Sequence, residues 1–255
     1  DEIAAYYASR RPYATPLVPG AQADFDDVRV TETSPQQAEH LVPVEVVGVK
    51  PHSDSPCPMT KDDGTWKDRD DLCGVVGFWK LDGDGKDASG NGHDGVLTAT
   101  SSLPGRFGNA DGAIGFDGGG STIDIADADI GCTTRTIDAW IKMDTSVSSD
   151  GYLVTGGSFI LGQGTSTSDR VSCSFSSNTN KVTSTQIVRD GNWHHVACVS
   201  DGKVTTVYVD GLTGGSVADP VGSCAYGSVY LNHSLTATNN IHGVIDDVLL
   251  HSVAK

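Results

Sequence analysis

The sequence predicts an all-β fold: a two-sheet antiparallel β-sandwich of the jelly-roll kind, with an extended N-terminal arm. Three observations carry that prediction. From Val75 onward, short apolar runs alternate with turns, and no 3.6-residue periodicity lies between them. Asp-Gly, a strong turn signal because Gly accepts positive φ without steric cost, occurs ten times. Glu, a good helix former, stands only at positions 2, 32, 39 and 45 among 33 acidic residues.

The first 72 residues differ in kind. They hold three of the 31 glycines and eight of the ten prolines. Tyr6, Tyr7, Arg10, Arg11 and Tyr13 form a basic-aromatic patch in an otherwise acidic chain. Such a patch suits docking onto an acidic surface, either another copy of the chain or a surface protein. Two β-like runs follow, 27–31 and 41–50; Pro43 inside the second points to an edge strand. Residues 51–72 read as a stapled connector between Cys57 and Cys73. The domain division is therefore 1–72, arm and connector, and 73–255, the jelly roll.

Twelve strands are expected in order: 75–81, 113–116, 122–125, 135–143, 152–155, 159–161, 171–175, 183–188, 193–200, 204–209, 228–231 and 242–250. In the fourth, Ile137, Ala139, Ile141 and Met143 alternate with Thr136, Asp138, Trp140 and Lys142, which predicts one buried face. The run 193–211 reads as strand, Asp-Gly turn, strand, Asp-Gly turn. Trp193, His195, Ala197 and Val199 fall on one pleat face; His194, Val196 and Cys198 fall on the other.

A net charge of −16 argues against nucleic acid or an anionic membrane as partner. No run is long and apolar enough for a membrane-spanning helix. The opening Asp1-Glu2-Ile3 suits a processed product. Six cysteines, at Cys57, Cys73, Cys132, Cys173, Cys198 and Cys224, include no C-x-x-C pair. An even count in a Gly-rich β chain predicts three disulfides and an oxidising, extracellular or cell-surface setting. Fifteen pairings are open; the nearest in sequence, Cys57 with Cys73, is favoured.

Five blocks, in this order, resemble a known family. They are Gly74-Val75-Val76-Gly77-Phe78-Trp79-Lys80-Leu81-Asp82; Asp87-Ala88-Ser89-Gly90-Asn91-Gly92-His93-Asp94-Gly95; Gly105-Arg106-Phe107-Gly108-Asn109-Ala110 with Ile114-Gly115-Phe116-Asp117-Gly118; Thr136-Ile137-Asp138-Ala139-Trp140-Ile141-Lys142; and the 193–211 hairpin with Gly243-Val244-Ile245-Asp246-Asp247-Val248. Together they resemble the laminin-G-like jelly roll of the concanavalin A-like lectin/glucanase superfamily. The resemblance implies two stacked antiparallel sheets in which 75–81 and 242–250 are neighbours. It also implies a structural calcium ion near that seam, at Asp82, Asp87, Asp117 and Asp246 with Asn91. Asp247 stands where the family often has Glu.

The residues themselves bear on those implications. Calcium needs six to eight oxygens converging on one point. Asp82-Gly83-Asp84-Gly85-Lys86-Asp87 fails as a calcium loop of the EF-hand type, because Lys86 takes the fifth position and no Glu closes it. Asp246, inside an apolar strand, is the single strongest ligand candidate, since a bare buried carboxylate is costly. Two-Glu glycoside hydrolysis is excluded, because residues 46–255 contain no Glu. His194 and His195 point to opposite faces of a strand, so they cannot ligate one ion together. Candidate sugar contacts are Tyr152, Tyr226 and Tyr230, with Asn178, Asn180, Asn239 and Asn240. Asn232-His233-Ser234 is a glycosylation sequon.

The expected function is a non-catalytic extracellular or cell-surface structural or adhesion protein on a calcium-stabilised jelly roll, self-assembling through its arm. A carbohydrate-binding lectin module is the alternative, and a glycan-active enzyme the remoter one.

Overall fold

The computed structural model describes residues 59–62, 65–68, 74–126, 128–131, 133–146, 151–156, 159–163, 169–175, 181–218, 228–233 and 241–255. The patch at Tyr6, Tyr7, Arg10, Arg11 and Tyr13, and Cys57, Cys73, Cys132 and Cys224, lie outside the described residues. So do Tyr226, Asn178, Asn180, Asn239 and Asn240.

The chain falls into two units, 1–72 and 73–255. In the first, the described residues form an antiparallel hairpin of β1 (Met59–Asp62) and β2 (Thr65–Asp68). This hairpin lies within the stretch expected to be a connector. The sequence between the two strands is Asp63-Gly64, a pair that favours two-residue hairpin loops.

The second unit holds β3 (Val75–Trp79), β4 (Gly95–Thr98), β5 (Ser101–Leu103), β6 (Ala113–Asp117), β7 (Thr122–Ile125), β8 (Arg135–Met143), β9 (Tyr152–Thr155), β10 (Ile160–Gln163), β11 (Val171–Ser174), β12 (Val182–Thr183), β13 (Trp193–Ser200), β14 (Val204–Val209), β15 (Leu212–Ala218), β16 (Val229–Leu231) and β17 (His242–His251). They make two antiparallel sheets. The seven-stranded sheet runs β12-β11-β10-β9-β16-β7-β4; the eight-stranded sheet runs β15-β14-β13-β8-β17-β6-β5, with β3 also paired to β17.

The core lies between the sheets. Ile137, Ala139, Ile141 and Met143 of β8 meet Leu153, Leu161, Val171 and Phe175 from the other sheet, all buried. Val196 and Cys198 of β13 are buried with them, as the alternation along 193–199 predicts. The expectation of one buried face on β8 needs correction. Thr136, Asp138 and Trp140, on the opposite face, are buried as well. The C-terminal tail covers Thr136, whose hydroxyl donates to the Val253 carbonyl at 2.9 Å. The Arg106 guanidinium covers Trp140, 4.8 Å from its ring centroid.

β17 controls the topology. One of its edges is shared: His242–Ile245 pair with β6, and Val248–His251 pair with β3. The expected adjacency of 75–81 and 242–250 is thus present. The changeover falls on a bulge after Asp246, where β17 shifts register against β8 and Asp247 takes φ 49°. An extra residue in one strand re-aims side chains and increases local twist, which lets one strand serve two partners.

Other departures have local causes. β12 covers only Val182–Thr183, where a strand to Val188 is expected. Ser184 Oγ donates to the Gln186 carbonyl at 2.8 Å, turning the chain and leaving Ile187 half-exposed. β15 escapes the sequence pattern because Gly214 and Gly215 sit inside it. A Cβ on Gly214 would lie 2.9 Å from the Ser184 Cβ, so close approach of that turn demands glycine. β4 and β5 are short and border the sheets, with exposed side chains that give no apolar alternation.

Cys173 on β11 and Cys198 on β13 form a disulfide that ties one sheet to the other across the core. Among the described residues no cysteine is free. The pair closes a separation of 25 residues, a constraint on the unfolded chain of roughly 3 kcal/mol. Replacing both cysteines by serine is expected to lower Tm by several degrees with the far-UV spectrum unchanged; thermal melts of the two proteins in oxidising buffer check this.

Candidate functional site

Two regions gather polar chemistry in the sandwich: the bulge of β17, and a groove on the outer face of the eight-stranded sheet.

At the bulge, Asp246 and Asp247 meet one cation. Arg106 donates from Nη1 to Asp247 and lies 3.5 Å from Asp246. All three side chains are nearly inaccessible, with Arg106 only 6% exposed. The guanidinium also stands over the rings of Trp140 and Phe107, at 4.8 and 4.3 Å, so it is held in place by aromatic faces. Burial pushes the Asp246 carboxyl up to about 7, and the Asp247 charge and the charge of Asp82 push the same way; Arg106 opposes them.

The remaining expected calcium ligands hold turns. Asp87 accepts from the Phe78 amide through Oδ1 and from the His93 amide through Oδ2, each at 3.0 Å. Burial raises its pKa, but the hydrogen bonds from Ser89, Phe78 and His93 outweigh burial and hold it below the ordinary value. Asn91 donates its amide to the carbonyls of Val75 and Val76. Asp117 accepts from the Gly119 amide at 2.8 Å and the Ser121 hydroxyl at 2.9 Å. Asp82 stands near enough for its charge to act on Asp246. Among the described residues, no three His, Cys, Asp or Glu side chains assemble as a metal cluster.

The histidine pair is split as strand geometry requires. His194 is clamped between Asp210 at 2.8 Å and Asp190 at 3.0 Å, which raises its pKa despite partial burial. His195 lies on the other face, 3.1 Å from Asp138 and against Trp140. Asn232, at the sequon, is fully buried; its amide donates to the Ser121 carbonyl and its carbonyl accepts from the Ile241 amide. A glycan on that nitrogen is incompatible with this packing. Tyr152 and Tyr230 are half-buried, Tyr230 edge-on to His233 with centroids 4.6 Å apart.

The groove encloses about 450 Å³. Strand register explains its lining. Trp193 pairs with Lys142, Lys142 with Val244, Val244 with Gly115, and Gly115 with Ser101. Directly opposed residues on antiparallel strands share a face, so these five make one row across β13, β8, β17, β6 and β5. In the row beyond, Asp144 follows β8, and His242 pairs with Asp117. His242 Nδ1 lies 2.9 Å from Asp144 Oδ2. The two rows contribute Ser101, Gly115, Asp117, Lys142, Asp144 and His242 to the lining. Gly115 matters at the floor, where a side chain would meet Leu103 and Ser101 at 2.5 and 2.7 Å.

Both groove carboxyls are held below the ordinary range. For Asp117 the largest cause is the Gly119 amide, followed by Ser121. For Asp144 it is the Ser146 hydroxyl, followed by the Ser146 amide, and His242 adds to both. Of the groove residues, only Asp117 is an expected site residue, as a calcium ligand. Lys142 belongs to a family block with no binding role attached, Asp144 and His242 belong to none, and cross-strand register collects them, with Trp193 paired to Lys142 outside the lining.

A family model described as the concanavalin A-like lectin/glucanases superfamily matches residues 117–255. A comparison with curated proteins finds no match. Among solved structures, domain 4 of AbnA, a GH43 extracellular arabinanase from Geobacillus stearothermophilus solved with arabinotriose, aligns with TM-score 0.58 at 18% identity, covering 71% of this chain and 93% of that one. The binding domain of Paraclostridial Mosquitocidal Protein 1 aligns with TM-score 0.59 at 14% identity, covering 72% and 50%. Trypanosoma rangeli sialidase aligns with TM-score 0.55 at 16% identity, covering 71% and 31%. The chain thus spans half or less of the latter two. At these identities the likeness is one of fold.

Removing Arg106 leaves two buried carboxylates without their guanidinium, a class of change that costs about 3–5 kcal/mol. Arg106→Met is expected to destabilise by that order, and Asp246→Asn in the same chain to recover part of it, by denaturant titration. The pH dependence has a fixed sign. Asp246 is raised in the folded state, so the native chain holds its proton from the ordinary carboxylate range up to about 7. Its contribution to stability therefore falls as pH rises through that window. In chelator, Asp246→Asn should gain on the wild type between pH 5 and pH 8.

Proposed function

The chain belongs to the concanavalin A-like lectin/glucanases superfamily, and on that premise we propose that it is a non-catalytic, extracellular carbohydrate-binding module. The fold is of a carbohydrate-binding or structural type. The observation that carries the choice is the polar groove on the eight-stranded sheet, open, glycine-floored, and bordered by Asp117, Asp144 and His242. Carboxylates held in place by neighbouring hydrogen bonds are preorganised acceptors for sugar hydroxyls, and charge-assisted hydrogen bonds are the strong ones. The arabinotriose complex of the AbnA domain, which this chain covers almost whole, supports the same reading.

The carboxyl chemistry supports binding without turnover. Glycoside hydrolysis needs one carboxyl held protonated as general acid. Asp117 and Asp144 are both lowered, so both are ionised at neutral pH. Asp246, which is raised, lies beneath Arg106 and is 5% exposed. The inter-sheet disulfide supports an oxidising, extracellular setting. Self-assembly through Tyr6, Tyr7, Arg10, Arg11 and Tyr13 concerns residues outside those described.

Calcium forms a separate part of the proposal. Asp82, Asp246 and Asp247 set three carboxyls against one guanidinium, an imbalance that a divalent cation near Asp246 would relieve. Asp87 and Asn91 bind backbone groups, Asp117 binds the Gly119 amide and the Ser121 hydroxyl, and all three enter this set less readily. A calcium ion bound only by the folded chain raises Tm by mass action. Melting in millimolar calcium and in chelator should differ by several degrees; coincident curves would remove the ion.

For the module as a whole, a glycan array is expected to give saturable binding to one sugar class. Incubation with the corresponding polysaccharide is expected to release no reducing ends. Absence of any sugar binding would sink the carbohydrate reading, and steady release of reducing ends would sink the non-catalytic one.

A further inference from the structure

The groove has a charge pattern as well as a shape, and the pattern narrows its ligand. Three rows cross the outer face of the eight-stranded sheet. His195, Trp140 and Asp246 form the innermost by register. Arg106 stands over Trp140, which is buried together with Asp246, while His195 is partly exposed. Trp193, Lys142, Val244, Gly115 and Ser101 form the middle row, and Asp144, His242 and Asp117 the outer one. The middle row has a partly exposed indole at one end, beside Lys142 and outside the groove lining, an apolar Val244 and Gly115 at its centre, the latter overhung by Leu103, and a hydroxyl at the other end. A ring lying along that row would reach Trp193 at one end and the wall Asp144–His242–Asp117 by its edge.

We propose that this groove binds neutral sugar units laid across the strands, Trp193 to Ser101, and discriminates against acidic sugars; this rests on the carbohydrate-binding reading above. Two carboxylates on one wall accept hydrogen bonds from hydroxyls and repel a uronate or sialate at the same distance. Two basic side chains accompany them. Lys142 is exposed on the middle row, and His242 lies between the carboxylates, 2.9 Å from Asp144. His242 is thus already turned toward a carboxylate of the protein, which leaves Lys142 as the one lysine in the lining beside two carboxylates. The chain around the groove carries a net charge of −16, which opposes approach of a polyanion further. A basic peptide is the other chemistry the wall could attract. The apolar floor and the indole offer a lysine chain less than they offer a sugar ring, whose faces are apolar and whose edge is polar.

Titration calorimetry on the full chain tests this with three sets of probes: neutral trisaccharides of arabinose, galactose, glucose and mannose; trigalacturonate and sialyllactose; and trilysine. At least one neutral trisaccharide is expected to bind ten-fold or more tightly than either acidic sugar. Trp193→Ala is expected to weaken it at least ten-fold. The double change Asp117→Asn with Asp144→Asn should bring neutral and acidic sugars within about three-fold of each other. Thermal melts of each variant confirm folding, and Asp144→Asn alone serves if the double variant fails to fold. Acidic sugars binding as tightly as neutral ones would overturn the selectivity. Neutral binding untouched by Trp193→Ala and Asp144→Asn would overturn the site. Binding of trilysine but no sugar, or of no probe at all, would overturn the carbohydrate reading itself.

Discussion

The sandwich depends on how β17 is held. This strand sits beside β8 along its length, then gives its other edge to β6 at one end and to β3 at the other. The changeover is a one-residue bulge at Asp246–Asp247, and Arg106 seals it. A slip of one residue would turn Ile245 and Leu250 outward and Asp246 into the core, so register is set by burial on one face and charge pairing on the other. Buried ion pairs often contribute little net stability against apolar replacements. Here the pair serves to fix position: it is the feature that decides which residue of β17 lies opposite which residue of β6 and β8.

The groove inherits that decision. Asp144, His242 and Asp117 come from three strands separated in sequence by dozens of residues, and they line up only because β17 pairs as it does. Val244 and Gly115 meet for the same reason. Binding chemistry on this face is therefore a consequence of the same register that packs the core. The exposed loop carrying Phe107 belongs to the arrangement too, since its neighbour Arg106 reaches in to close the bulge.

Much of the fold was legible in the sequence, because period-two alternation and Asp-Gly turns act locally. The limits of β7, β8, β9, β13 and β14 follow from alternation alone. The adjacency of β3 and β17 was legible through family resemblance rather than through any local signal. What escaped was set by tertiary contact. β15 carries Gly214-Gly215, which reads as a loop until the Ser184 turn is seen pressing on it. Ser184 likewise ends β12 early. The Cys173–Cys198 pair needs the stacking of two sheets, which cysteine spacing does not encode. The site was less legible still. Asp117 stood out through the family resemblance, as a calcium ligand, but Lys142, Asp144, Trp193 and His242 carry no binding signal until the strands are laid side by side. Asn232 shows the converse: a sequon is a local pattern, and the structure uses that side chain to tie Ser121 to Ile241.

A crystal structure grown with a neutral oligosaccharide tests the central claim, that strand register builds a sugar site on the outer face of the eight-stranded sheet. The account predicts sugar rings lying across β8, β17 and β6, with one ring against Trp193 and hydroxyls on Asp117 and Asp144. Sugar seated instead on the seven-stranded sheet, beside Tyr152 or Tyr230, with the groove holding only solvent, would contradict it.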